Sequence, residues 1–258
     1  MKLKTPLSGS ILTTTWVITA GHCFLKLETP PNTVVVQAGV IKGDLNLHDR
    51  KGSMSNTNGQ IRSARQIIVH PKFTTPNAPK DVALIEVTEP FRFSKLVTSI
   101  PLSPFQVLKG REKCIIAGYG STGPQDRKFT RDLFWMNATI NHKCEKNYKC
   151  VLHIPEGQRT ASGDSGAPVM CKGYLSAIVK GSVTLDKDLN STLVVQMSSL
   201  IPWLKTHIPK VMEEDILVRS ASGEHGRQAT GTGVVSSPAG ILLVGLFFSL
   251  GCKRSLLV

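Results

Sequence analysis

The sequence predicts an all-β domain, a barrel or sandwich, that ends in one short helix and is followed by a polar stalk and an apolar tail. Three observations lead there. Short β-branched runs recur between Ile11 and Ile208, each cut off by Gly, Pro or Asn. A single amphipathic helical pattern closes that stretch. Beyond it the composition turns first polar and then apolar and uncharged.

In chain order the strand candidates are Trp16–Thr19, Thr33–Val36, Gln66–Val69, Val82–Ile85, Cys114–Ala117 and Val194–Gln196. Residues Asp49–Gly59 are polar without an apolar period and read as a loop. Ser199–Ile208 reads as a helix, with Leu200, Trp203, Leu204 and Ile208 on one face and Pro202 in its first turn. The expected organisation is a domain over 1–209, a stalk over 210–233, an apolar segment over 234–252 and a short tail over 253–258. From Gln228 to Cys252 there is no charged residue, and Lys253-Arg254 follows directly. That pattern predicts a transmembrane helix or anchor signal; the small residues Ser236 and Ser237 also permit a lipid anchor.

The chain has 258 residues, 41% of them apolar and 19% charged, a composition that forms a core and excludes collagen-like, low-complexity and multi-span membrane chains. Its net charge of +13 lies entirely on residues 1–210. Beyond them Arg219, Arg227, Lys253 and Arg254 balance Glu213, Glu214, Asp215 and Glu224. No helix-turn-helix, zinc-finger or RNP-like motif accompanies the charge, and aromatics are only 6%, so nucleic acid is not an expected partner. A basic surface suits acidic proteins, anionic glycans or lipid surfaces. No two of the six cysteines have C-x-x-C spacing, so neither a zinc site nor another cofactor is expected. Sequons at Asn137 and Asn190, with scattered cysteines, point to an oxidising, secretory setting. Residues 1–14 lack a signal peptide, which leads to the expectation that an upstream segment precedes Met1.

Three segments carry chemistry together. Trp16-Val-Ile-Thr-Ala-Gly-His22-Cys23 ends a strand in a histidine, Asp81-Val-Ala-Leu-Ile85 opens one with an acid, and Gly163-Asp-Ser165-Gly-Ala-Pro-Val169 sets a serine between glycines. A serine hydroxyl is a poor nucleophile until an imidazole can take its proton, and the imidazole needs a carboxylate that fixes its tautomer. Flanking glycines allow the tight turn that aims two N–H groups at a developing oxyanion. His70, followed by Pro71, is a second candidate for the histidine.

In that order the segments resemble the chymotrypsin/trypsin-like serine endopeptidases over roughly residues 7–208. The resemblance implies an all-β, two-barrel trypsin-like fold with a C-terminal helix. It implies His22 as general base, Asp81 as its orienter, Ser165 as nucleophile, and the N–H groups of Gly163 and Ser165 as oxyanion donors. Ile68-Val-His-Pro71 then matches a non-catalytic stretch. Disulfides Cys114–Cys171 and Cys144–Cys150 are implied by the same likeness, while Cys23 meets Leu7 where its usual partner stands. Cys252 lies in the apolar tail, where S-acylation is allowed.

Two departures stand out. No Ile-Val-Gly-Gly-like segment is present to supply the ammonium that normally pairs with the acid beside the nucleophile, here Asp164. At the usual pocket floor stands Arg159, the usual cysteine four places before the serine is Ala161, and the backbone-binding strand is Val179-Lys180-Gly181. Arg159 with Lys180 in the pocket predicts cleavage after acidic residues; Arg159 turned to solvent is the alternative. The expected function is a serine endopeptidase of protein substrates, open to protease inhibitors and membrane-anchored outside the cell. The rival from another class is a catalytically silent homologue that binds partners.

Overall fold

Val, Ile and Thr are stiff at χ1 and fit a pleated, half-buried surface, so the short runs of these residues become strands. A computed structural model describes residues 6–24, 30–40, 59–76, 78–102, 112–122, 132–140, 151–154, 158–186, 189–208 and 243–248. The strands are β1 (Pro6–Ile11), β2 (Trp16–Thr19), β3 (Val34–Ala38), β4 (Gln60–Val69), β5 (Ala83–Val87) and β6 (Lys113–Gly118), then β7 (Phe134–Ile140), β8 (Val151–His153), β9 (Pro168–Cys171), β10 (Tyr174–Asp186), β11 (Leu189–Gln196) and β12 (Leu243–Phe248). The helix α1 (Ile201–His207) follows β11.

These strands close into two antiparallel barrels, as expected. The first runs β1-β12-β3-β4-β5-β2 and the second β10-β11-β8-β7-β6-β9. Each barrel carries its own core: Val17, Val34, Val36, Ile85 and Phe91 fill the first, and Ile116, Val169, Ala177 and Val194 the second. A third cluster lies between them, where Ile18, Val82 and Leu84 from the first barrel meet Leu102, Leu175 and Ile178. The predicted apolar face Leu200, Trp203, Leu204 and Ile208 is buried in that same cluster, so α1 seals the seam between barrels. Cys114 and Cys171 sit directly opposite each other on β6 and β9 and form the expected disulfide. Cys23 is also disulfide-bonded. Cys144, Cys150 and Cys252, most of the loop 49–59 and the stalk 210–233 lie outside the described residues as well.

Residues 243–248, at the centre of the predicted membrane-spanning helix, form β12 between β1 and β3. Leu and Phe runs satisfy a buried strand as well as a helix, and periodicity cannot separate the two in so short an apolar segment. Two open strand edges decide here: β1 and β3 each present ladder groups that β12 pairs, from Pro6↔Phe247 to Ser10↔Leu243 on one side and Val34↔Phe248 to Ala38↔Val244 on the other. No helix among the described residues is long and apolar enough to cross a membrane.

Candidate active site

His22 stands on the turn that follows β2, and Asp81 stands just before β5, the strand paired with β2. Pairing therefore brings the two together. The Asp81 carboxylate takes two bonds from one residue: the His22 backbone N–H reaches Oδ1 at 2.7 Å, and His22 Nδ1 lies 2.9 Å from Oδ2. Asp81 is 1% exposed, so its charge depends on those donors. Gly21 is required for the approach, since a Cβ there would sit 2.9 Å from the Val82 carbonyl oxygen. Lys80, directly before Asp81, has φ 65, an uncommon conformation for a lysine that places a turn ahead of the carboxylate. His22 Nε2 is buried and has no hydrogen-bond partner, so Ser165 Oγ does not bond it in this structure. Catalytic hydrogen bonds are often long before substrate arrives.

Ser165 lies on the turn before β9. Gly163 has φ 101 and Gly166 φ 82, values that exclude most side chains. A Cβ on Gly166 would also collide with the Ser8 carbonyl oxygen and Thr19 Oγ1, and would lie 2.8 Å from the Ala20 nitrogen. The serine turn is thus packed against the chain two residues before His22. Its carbonyls are engaged: Ser162 O accepts from Ser121 N–H at 2.8 Å, Asp164 O from Ala167 N–H at 2.9 Å and Ser165 O from Ser8 N–H at 3.1 Å. Among the described residues, neither the Gly163 N–H nor the Ser165 N–H donates a hydrogen bond, which leaves two donors for an incoming anionic oxygen.

Asp164 points away from this turn. Its Oδ1 accepts from Gly120 N–H and its Oδ2 from Ala161 N–H, each at 2.9 Å. The carboxylate fills the space a Cβ on Gly118 or Gly120 would need, which explains the Gly-Tyr-Gly spacing.

The remaining predicted residues are spread out. Arg159 is exposed. Lys180 is half-buried at a break in the β10–β11 register between Val179 and Gly181, and its Nζ donates to the Ala78 carbonyl at 3.3 Å. Burial pushes its pKa down from the usual lysine range, while the Asp81 charge pulls it partly back. Gly181 follows on β10, half-buried. Asn137 is exposed on β7 and Asn190 lies on β11. His70 packs on the Trp203 ring at 4.8 Å, and its Nδ1 accepts from Lys72 N–H at 3.1 Å. Burial, aided by Lys80, Lys72 and His207, pushes its pKa down to about 4. It is a neutral packing group.

Sequence reasoning missed Ser8, which lies on β1, is 0% exposed and reaches the Ser165 turn. A lone serine in Leu7-Ser-Gly-Ser-Ile11 carries no motif that would have found it.

A histidine held by a buried acid between two barrels, with a serine turn packed beside it, is an arrangement that comparison with known families tests directly. The trypsin family model matches residues 2–204. This chain belongs to the trypsin family. The family is one of serine-type endopeptidases, which are hydrolases. Among curated relatives, human serine protease 1 is 26% identical over 210 residues, covering 78% of each chain. Trypsin of Xenopus laevis is 24% identical over 210 residues, covering 78% of this chain and 80% of its own. Among solved structures, neuropsin, a serine protease of mouse brain, superposes with a TM-score of 0.64 at 20% identity, over 80% of this chain and 93% of its own. A mutant of human heparin binding protein gives 0.62 at 16% identity, over 79% and 89%. At those identities the two structures speak for the trypsin fold alone.

Proposed function

We propose that this trypsin-family chain hydrolyses peptide bonds through His22, Asp81 and Ser165. The observation that carries the reading is the two-pronged grip of Asp81 on His22, which leaves Nε2 buried and unbonded, while the Ser165 turn packs against Ala20, two residues before His22. Asp81 accepts a hydrogen bond from Nδ1–H, which keeps that proton on Nδ1, so the lone pair lies on Nε2 and serves as the base. Ser165 Oγ attacks the scissile carbonyl carbon while its proton passes to Nε2; the carbonyl oxygen becomes an oxyanion received by the Gly163 and Ser165 N–H groups. Nε2 returns the proton to the leaving amine and the C–N bond breaks. Water, deprotonated by the same nitrogen, then attacks the acyl carbon; the bond to Ser165 Oγ breaks and Nε2 returns the proton to that oxygen. Each oxyanion donor contributes about 3 kcal/mol in such enzymes.

The test is covalent labelling of the full-length protein with a fluorophosphonate. Wild type is expected to label and Ser165→Ala to remain unlabelled; an unlabelled wild type sinks the reading.

Substrate preference for acidic side chains rests on Lys180 and Gly181 more than on Arg159. Lys180 is half-buried, bonds the Ala78 carbonyl and feels the Asp81 charge, whereas Arg159 is exposed. Profiling with a peptide library tests this: efficient cleavage after Lys or Arg rejects it. The buried disulfide Cys114–Cys171 and the bonded Cys23 support an oxidising, extracellular setting. The exposed Asn137 supports glycosylation there, read by a mass shift on enzymatic deglycosylation.

A second reading is a silent homologue that binds partners. It is favoured by the +13 charge, and one structural neighbour is named for heparin binding. Heparin retention with no fluorophosphonate labelling would support it.

A further inference from the structure

We propose that Ser8 is a positioning residue of the oxyanion loop, an inference that rests on the triad reading above. Three consecutive peptide units cross this loop. The first, Ser162–Gly163, carries the Gly163 N–H; the third, Asp164–Ser165, carries the Ser165 N–H. A trans peptide holds its C=O and N–H in opposite directions, so a bond to the carbonyl also aims the amide. The outer units are aimed by Ser121 N–H on Ser162 O and by Ala167 N–H on Asp164 O. The middle unit joins them, and its carbonyl, Gly163 O, accepts from Ser8 Oγ at 2.9 Å.

The Ser8 hydroxyl is itself oriented. Tyr119 N–H donates to Ser8 Oγ at 3.0 Å, which occupies a lone pair and leaves the single proton for Gly163 O. Backbone bonds fix the residue as well: its N–H reaches Ser165 O at 3.1 Å, and its carbonyl accepts from Thr19 Oγ1 at 2.7 Å. Ser8 therefore holds both carbonyls of the residues whose N–H groups serve the oxyanion. Gly163, at φ 101, has the freedom to let the middle peptide rotate, and a rotation there would separate the two donors. Ser8 supplies the restraint that glycine lacks.

The experiment compares wild type, Ser8→Ala and Ser8→Thr as full-length proteins. It follows fluorophosphonate labelling, steady-state cleavage of a peptide ester and its thionoester, and thermal unfolding. Losing one oxyanion donor outright costs about 10²–10³ in kcat, so Ser8→Ala is expected to lower kcat on the order of 10- to 100-fold with KM little changed. The ester-to-thionoester rate ratio should fall with it, because sulfur makes poor use of the N–H pair. Ser8→Thr, which keeps a hydroxyl, should restore most of both. A folded Ser8→Ala that keeps the wild-type kcat and ratio overturns the role of Ser8 and leaves the triad intact. A wild type that does not label overturns both. If Ser8→Ala does not fold, Ser8→Cys fills nearly the same space with a weak donor; wild-type kinetics in that variant overturn the proposal.

Discussion

Asp81 shows how much one buried carboxylate decides. It is 1% exposed and holds His22 through backbone and ring together, so its replacement changes tautomer before it changes shape. Asp81→Asn is expected to leave the fold intact and to cut kcat by about 10⁴-fold, the loss known for this type of triad, as read by steady-state kinetics. Gly166 is a stricter case, because its positive φ coincides with contacts to Ser8 and Thr19. Gly166→Ala should destabilise by about 3 kcal/mol or more in chemical denaturation, combining left-handed strain with a backbone clash. His70 gives a pH signature. Its folded pKa near 4 lies below the ordinary 6.5, so in that window the unfolded chain binds a proton that the folded one refuses. Stability contributed by neutral His70 is thus present above about pH 6.5 and lost as pH falls towards about 4, on the order of 1–3 kcal/mol. Lys72, Lys80 and His207 face the same ring and oppose its protonation. Denaturation at several pH values should show a shallower acid limb in His70→Gln than in wild type.

At the scale of elements, β12 is the informative strand. It completes the first barrel by pairing β1 and β3, and β1 carries Ser8. An unpaired edge on β1 would loosen the strand that holds the oxyanion loop. Gly245 lies opposite both Ser8 and Gln37. Gly245→Pro removes a ladder donor, and is expected to lower the melting temperature and to speed hydrogen exchange of β1 and β3 amides, while β6 and β9 keep their protection. Unchanged protection of β1 would mean that β12 adds nothing to the barrel. The bulge on β10 works differently: it turns Lys180 towards Ala78 instead of continuing the ladder. Because burial lowers its pKa, the proposed preference for acidic substrates should fade, as pH rises, before surface lysines titrate. Lys180→Met should abolish the preference altogether.

The described residues form two barrels joined at a seam, and the residues proposed for catalysis come from both. His22 and Asp81 stand on the first barrel and Ser165 on the second, so the proposed mechanism requires the seam to hold its geometry. Ile18, Val82, Leu102, Ile178 and the α1 face supply that adhesion by burying apolar surface. Cys114–Cys171 closes a loop over a separation of 57 residues within the second barrel. Its removal in Cys114→Ala/Cys171→Ala should cost about 4 kcal/mol by loop entropy, measured by denaturation.

Much of this was legible in the residues. The β-branched runs marked the strands because branching at Cβ acts locally, and the helix face Leu200, Trp203, Leu204 and Ile208 followed from a period of 3.6. Gly-Asp-Ser-Gly stood out because its turn needs positive φ at both glycines, and Ala-Gly-His-Cys because Gly21 leaves no room for a side chain. Ser8 did not, since its role depends on Gly163 and Tyr119, 155 and 111 residues away. Neither did the placement of Leu243–Phe248, whose apolar side chains suit a lipid-facing helix and a barrel strand equally. Local sequence therefore determined which residues are candidates for chemistry and where strands begin. Only the tertiary structure decided which distant backbone groups needed a partner, because an unpaired edge or a rotating peptide exists only once the chain has closed on itself.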